Sequence, residues 1–145
     1  IVTEEHPLIG IEPSCILSFR DEYPALLRGD MAVAAKKLAK NCLLFDEFIM
    51  REVNAGKISY ESFTISKAEI WLHGHCHQKS LVGTALTEAM LNLPVNYNVH
   101  LIPSGCCGMA GSYGYEKEHY KSSMEIGEIL MEKMSLKTIK MHWRK

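Results

Sequence analysis

The chain has 145 residues, 47% of them hydrophobic and 23% charged, with a net charge of −1 and five cysteines. That is the composition of one globular domain, long enough to bury roughly two-thirds of its unfolded surface. The charge leaves no field to attract nucleic acid or an anionic membrane, and no apolar run approaches the roughly 18 residues of a spanning helix.

In chain order, Pro7 to Glu12 reads as a short buried strand. Ser14 caps the helix that follows, with Ile16, Leu17, Phe19, Tyr23, Leu26 and Leu27 on its apolar side. A second helix is expected over Met31 to Ala39, and a third over roughly Cys42 to Val53, capped by Asn41 and ended by Ala55-Gly56. Residues 56 to 68 form a polar excursion with a short edge strand around Ser59 to Thr64. Glu69 to His73 is a core strand. Gln78 to Leu91 is its crossover helix, turning Leu81, Val82, Ala85, Ala89 and Met90 toward the sheet. Asn98 to Ile102 is the next strand. Tyr115 to Met134 is a long helix with Met124, Ile126, Ile129, Leu130 and Met134 as its apolar positions, and Thr138 to Trp143 opens a fourth strand. Strands alternating with helices predict an α/β fold: a parallel sheet of about four strands flanked by helices, Rossmann-like and three-layered.

Four cysteines fall where these strands end: Cys15 after PLIGIE, Cys76 after EIWLHG, and the pair Cys106-Cys107 after NVHLIP. In a parallel sheet the C-terminal strand ends converge on one crevice. Distant thiols then meet as a metal or redox site. An odd cysteine count precludes complete internal pairing, and adjacent cysteines make a poor disulfide, so a reducing, cytoplasmic setting is expected. Cys42 is expected to be a core or cap-adjacent residue of its helix.

The segment SGCCGMAGSYGY, residues 104 to 115, spaces glycines at Gly105, Gly108, Gly111 and Gly114 around the cysteine pair. Glycine permits positive φ and close backbone approach, so amide N–H groups can face an anionic centre such as a thiolate-bound iron–sulfur cluster. A plain strand-to-helix turn and a phosphate cradle are the competing readings. The latter lacks both GxGxxG and a GxxxxGK followed by Ser or Thr. In HGHCHQK, residues 73 to 79, Cys76 stands at a helix start, where N–H groups favour the thiolate. His75 and His77 flank it as donors to the bound group, as direct ligands or as solvent-facing residues, and Lys79 can offset negative charge. Arg20, Asp21 and Glu22 read as a local ion-pair network on a solvated helix. Four thiolates also suit structural zinc. Such sites normally use ligands two to four residues apart, however, and the chain has no CxxC, whereas adjacent sulfurs can bind different irons of a larger cluster.

GIEPSC with FRDEYP, then HGHCHQK, then IPSGCCGMAGSYGYEKEHY, resemble the cysteine-rich "CCG" domain of iron–sulfur oxidoreductases. The family includes the iron–sulfur subunit of glycolate oxidase and the cysteine-rich subunit of heterodisulfide reductase, and the match extends to the C-terminal iron–sulfur region of FAD-linked oxidases. The resemblance implies a single cysteine-rich domain over residues 1–145, a C-terminal piece of a larger FAD-linked oxidoreductase. It would pass electrons from flavin, after oxidation of a 2-hydroxy acid, to an acceptor. Cys15, Cys76, Cys106 and Cys107 would hold a 4Fe-4S-type cluster, with Gly105, Gly108, Gly111, His75 and His77 around it. FAD would lie in another part of the polypeptide. Partners would be a flavin domain or subunit and other iron–sulfur modules, with no nucleic acid and no membrane span, peripheral membrane association of the full protein remaining compatible. The alternatives are a zinc-stabilised interaction module and a thiol–disulfide site of the heterodisulfide type.

Overall fold

The computed structural model describes residues 1–138, the last four of them by their backbone alone. Its elements run β1 (Leu8–Gly10), α1 (Pro13–Ser18), α2 (Glu22–Leu26), α3 (Gly29–Ala39), β2 (Cys42–Leu44), α4 (Phe45–Asn54), a 3-10 turn (Tyr60–Ser62), β3 (Ala68–Leu72), α5 (Cys76–Leu81), α6 (Ala85–Leu91), β4 (Tyr97–Leu101), a second 3-10 turn (Tyr113–Tyr115) and α7 (Tyr120–Thr138). They gather into two compact units. One comprises Ile1–Ile70 with His77–Val99, the other Trp71–Cys76 with the chain from His100 onward.

Among the described residues the expected four-stranded sheet is not seen. The described residues make two separate two-stranded ladders, β1–β2 and β3–β4. β1 and β2 are parallel, pairing Leu8 with Cys42, Ile9 with Leu43 and Gly10 with Leu44. In β3–β4, Ala68 N donates to Asn96 O at 3.3 Å and Ile102 N to Leu72 O at 2.9 Å, so these strands also run the same way. The strand expected at Thr138 to Trp143 lies, apart from Thr138 at the end of α7, outside the described residues.

The first unit owes its core to the β1–β2 ladder. Ile16, Leu17, Cys42 and Leu44 are buried together, with Leu8, Phe19 and Leu38 packed against them. Cys42 is therefore a core residue, but on a strand and not at a helix start. Asn41 N closes α3 on Leu38 O at 2.9 Å, and Asn41 O takes the Leu8 N–H at 2.9 Å, which draws the next three residues into the ladder. Three residues are too few for a period-2 pattern to declare itself. The amphipathic segment that follows is α4, whose end at Ala55-Gly56 is as expected: Gly56 has φ +70° and returns its N–H to Val53 O at 2.9 Å.

Glu12, not Ser14, caps α1. Its carboxylate accepts from Ser14 N at 3.1 Å and Cys15 N at 2.6 Å, and Pro13 occupies the first turn, where its missing N–H costs nothing. The helix ends at Ser18 and a separate one begins at Glu22, because Pro24 cannot donate to a preceding carbonyl. Tyr23 and Leu26 are consequently exposed. The polar excursion holds a 3-10 turn and no edge strand, with Ser59 Oγ accepting from Glu61 N at 3.2 Å. The crossover is two helices split at Gly83 (φ +75°), where Val82 N and Gly83 N both end on Gln78 O at 2.9 Å. That break leaves Leu81, Val82 and Ala85 exposed, while Ala89 and Met90 are half-buried.

In the second unit the Trp71 and His100 rings stack at 4.4 Å and His73 Nδ1 meets Ser104 Oγ at 2.8 Å. α7 starts five residues later than expected, after the 3-10 turn at Tyr113–Tyr115. It buries Ser123 and Leu130, while Met124, Ile126 and Ile129 remain exposed. Among the described residues no helix is long and apolar enough to cross a membrane.

Candidate metal or redox centre

β3 and β4 run parallel and deliver their C-terminal ends to the second unit, so Cys76 and the Cys106-Cys107 pair belong to it together despite about thirty intervening residues. Cys76 opens α5; all three thiols are partly buried and in no disulfide. The Gly108 N–H donates to Cys106 Sγ at 3.3 Å. That hydrogen bond, set against partial desolvation and reinforced by the thiols of Cys76 and Cys107 and the Cys107 N–H, holds the Cys106 thiol below its ordinary range. A sulfur whose anionic form is stabilised in this way is suited to metal ligation or to nucleophilic exchange.

Among the described residues no three His, Cys, Asp or Glu side chains stand in metal-binding geometry. The Cys76 and Cys107 thiols lie close enough to Cys106 to act on it by hydrogen bond, and an all-thiol set of this kind matches iron–sulfur or zinc chemistry in composition.

Cys15 belongs to the first unit and is exposed on α1. The Glu12 carboxylate, by hydrogen bond and by charge, raises its thiol above the ordinary range. The residue that caps α1 thus works against the thiolate at this position.

The glycines divide by role. Gly108 has φ +89°, and a Cβ there would overlap the Ser123 carbonyl oxygen, so glycine is obligatory for packing against α7. Gly111 (φ +65°) needs glycine for its backbone alone, since a Cβ would meet nothing within 4 Å. Gly105 is exposed with open space around it and no positive φ, so nothing steric demands glycine there. His75 is exposed just before α5, and His77 is half-buried in its first turn.

Three features escaped sequence reading. Arg20 is not in a local ion-pair network: its Nη1 reaches both Glu47 carboxylate oxygens, at 2.8 and 2.7 Å, 27 positions away. Buried Asp46 and Gln78, with part-buried Thr87, line a small cavity of about 220 Å³ with Ile11 and Pro13. Ser123 and Gly127 of α7 touch the cysteine loop itself. Only Gly127 carried a local signal, because glycine inside a helix costs roughly 0.5–1 kcal/mol and so marks a close approach.

Comparison with known proteins returns oxidoreductases. The chain is 27% identical over 124 residues to D-2-hydroxyglutarate dehydrogenase of Escherichia coli (strain K12), covering 85% of this chain and 11% of that protein. It is 31% identical over 123 residues to one of the subunits of anaerobic glycerol-3-phosphate dehydrogenase from the same organism, covering 83% of this chain and 29% of the relative. A D-2-hydroxyglutarate dehydrogenase of Pantoea ananatis (strain AJ13355) is 30% identical over 125 residues, again 83% of this chain and 11% of the relative. The chain thus spans under a third of the length of these relatives. No family model and no solved structure matches it. The relatives share a dehydrogenase name, which supports an oxidoreductase segment here.

Proposed function

We propose that the chain is an iron–sulfur electron-transfer module of the cysteine-rich CCG type within a larger dehydrogenase. The observation that carries this reading is the Cys106 thiol, bonded by the Gly108 N–H and flanked by the thiols of Cys76 and Cys107. In this reading Cys76, Cys106 and Cys107, with Cys15 as a fourth ligand, hold a cluster of 4Fe-4S type. The group supplies one-electron transfer when bound. The backbone N–H of Gly108 donates to one ligand sulfur and favours its thiolate form, Gly105 and Gly111 flank the pair, and His75 and His77 stand beside Cys76. A flavin domain or partner protein elsewhere in the assembly delivers electrons, with FAD as its cofactor and a 2-hydroxy acid or glycerol 3-phosphate as the class of donor, in line with the relatives' names.

The test is anaerobic reconstitution with iron and sulfide, followed by iron, sulfide and zinc analysis and dithionite reduction. Stoichiometric iron and sulfide with a visible bleach is expected, and it should be lost in Cys106→Ser and Cys107→Ser. Stoichiometric zinc without iron would replace this reading with a zinc-stabilised interaction module, because zinc has no redox chemistry.

A second reading is favoured by the hydrogen-bonded neighbourhood of Cys76 and Cys106. In a thiol–disulfide site, the Cys106 thiolate would attack a substrate disulfide, releasing one thiolate. Cys76 would then displace the second, leaving a Cys76–Cys106 disulfide and two substrate thiols. Disulfide reduction that survives removal of iron but not alkylation of Cys106 would favour it.

A further inference from the structure

We infer that Gly127 and Ser123 of α7 are positioning residues that fix the hydrogen bond from Gly108 to Cys106, an inference whose functional meaning rests on the iron–sulfur reading above. A helix backbone is ordinarily sheathed by its own side chains, and another backbone can approach it only where those are small. At Gly127 a Cβ would lie 3.0 Å from the Cys107 carbonyl oxygen. One turn earlier, Ser123 is 6% exposed and its Oγ donates to the Gly108 carbonyl at 2.8 Å. Gly114 closes the third side, since a Cβ there would lie 2.6 Å from Ser123 Oγ.

The consequence follows from the peptide unit. The Cys107 carbonyl and the Gly108 N–H belong to one planar trans peptide and point in opposite directions. Its oxygen rests on the Gly127 backbone; its N–H reaches Cys106 Sγ at 3.3 Å. The next peptide is gripped through the Gly108 carbonyl by Ser123. Ser123 holds the second oxygen and the bare Gly127 backbone leaves room for the first, so the helix sets the plane that aims the N–H at the sulfur. A methyl group at residue 127 would press the Cys107 oxygen back by a few tenths of an ångström and tilt the N–H away from Cys106. Loss of the Ser123 hydroxyl would free the adjoining plane. Hydrogen bonds to ligand sulfurs set cluster potential, so these two positions, which meet the loop at its backbone, would act on electron transfer through it.

The experiment measures amide exchange of Gly108 by NMR in the reduced, metal-free full chain of wild type, Ser123→Ala, Gly127→Ala and the surface control Glu125→Ala. Exchange should accelerate by about fivefold or more in the first two variants, the change expected from losing one ordinary hydrogen bond, and stay at the wild-type rate in the control. Wild-type exchange in Ser123→Ala, which adds no atom and cannot fail by overpacking, would overturn the inference, as would an equal acceleration at Cys42 in the first unit. After reconstitution, a shifted reduction potential in Ser123→Ala at wild-type iron content is expected; an unchanged potential would remove the functional half of the inference. Failure of wild type to take up iron would sink the cluster reading and leave the exchange result standing.

Discussion

Gln78 donates its side-chain nitrogen to the Asp46 carboxylate at 3.1 Å, joining two buried residues 32 positions apart. The same nitrogen donates to Thr87 Oγ1 at 2.7 Å, the Thr87 hydroxyl donates to the same Asp46 oxygen, and the Glu47 N–H takes the other at 2.8 Å. The carboxylate therefore ties α5 and α6 to the start of α4. Buried donors keep their bonds only while the acceptor is present.

Asp46→Ala should destabilise the protein by about 2 kcal/mol, because the Gln78 amide and the Thr87 hydroxyl lose their common acceptor without gaining water. Urea denaturation followed by circular dichroism reads this directly. A loss below about 0.5 kcal/mol, within the range of an ordinary surface change, would mean the cluster contributes little.

Gly10→Ala should also be costly. A Cβ at residue 10 would overlap Ile16 Cβ where α1 lies on β1, and that atom cannot swing aside like a side-chain tip. Overpacking of this kind costs about 1–3 kcal/mol. Its signature is a lower denaturation midpoint with an unchanged dependence on denaturant.

Glu47→Ala should lower stability more than Arg20→Ala. The glutamate carries two tasks, pairing with Arg20 at 2.7 Å and accepting the Leu44 N–H at 2.9 Å at the head of α4. The arginine carries only the first. Loss of a cap costs about 1 kcal/mol and a part-exposed ion pair less than that. Equal melting temperatures for the two variants would show that the cap contributes nothing.

Alkylation of the metal-free protein should distinguish Cys106 from Cys15 by pH. The Gly108 N–H lowers the first thiol's pKa, whereas the Glu12 carboxylate raises the second's. Only the thiolate reacts, so the rate at Cys106 should rise and level off at lower pH than the rate at Cys15. Peptide mass spectrometry at several pH values separates the two sites; the reverse order would contradict the assigned hydrogen bond.

β3, β4, α3 and α7 were legible because the two strands carry apolar residues at alternate positions ahead of glycine, proline and cysteine, and the two helices are strongly helical in composition. The grouping of Cys76 with Cys106 and Cys107 was legible for the same reason: parallel strand ends carry their residues to one side. What stayed hidden depends on partners distant in sequence. Arg20 sits among charges that read as a solvated turn, and only the fold supplies Glu47. Cys42 sits beside leucines that suit a helix as well as a strand, and only pairing with Leu8 decides. Glu12 outcompetes Ser14 as the cap because its longer side chain reaches back over Pro13 to two N–H groups at once. Gly105 fits the spacing of its neighbours, while a Cβ there would meet nothing within 4 Å, so packing alone does not explain a glycine at that position.

The two compact units are interlaced in the chain. The path leaves the first within β3, after Ile70, returns within α5 at His77, and leaves again within β4, after Val99. No single cut yields either unit whole: truncation after Val99 strands Trp71–Cys76 without the loop that holds their partner thiols, and a piece beginning at His100 lacks Cys76. Cys76 thus shares a unit with Cys106 and Cys107 only because the chain leaves the first unit twice, once through β3 and once through β4.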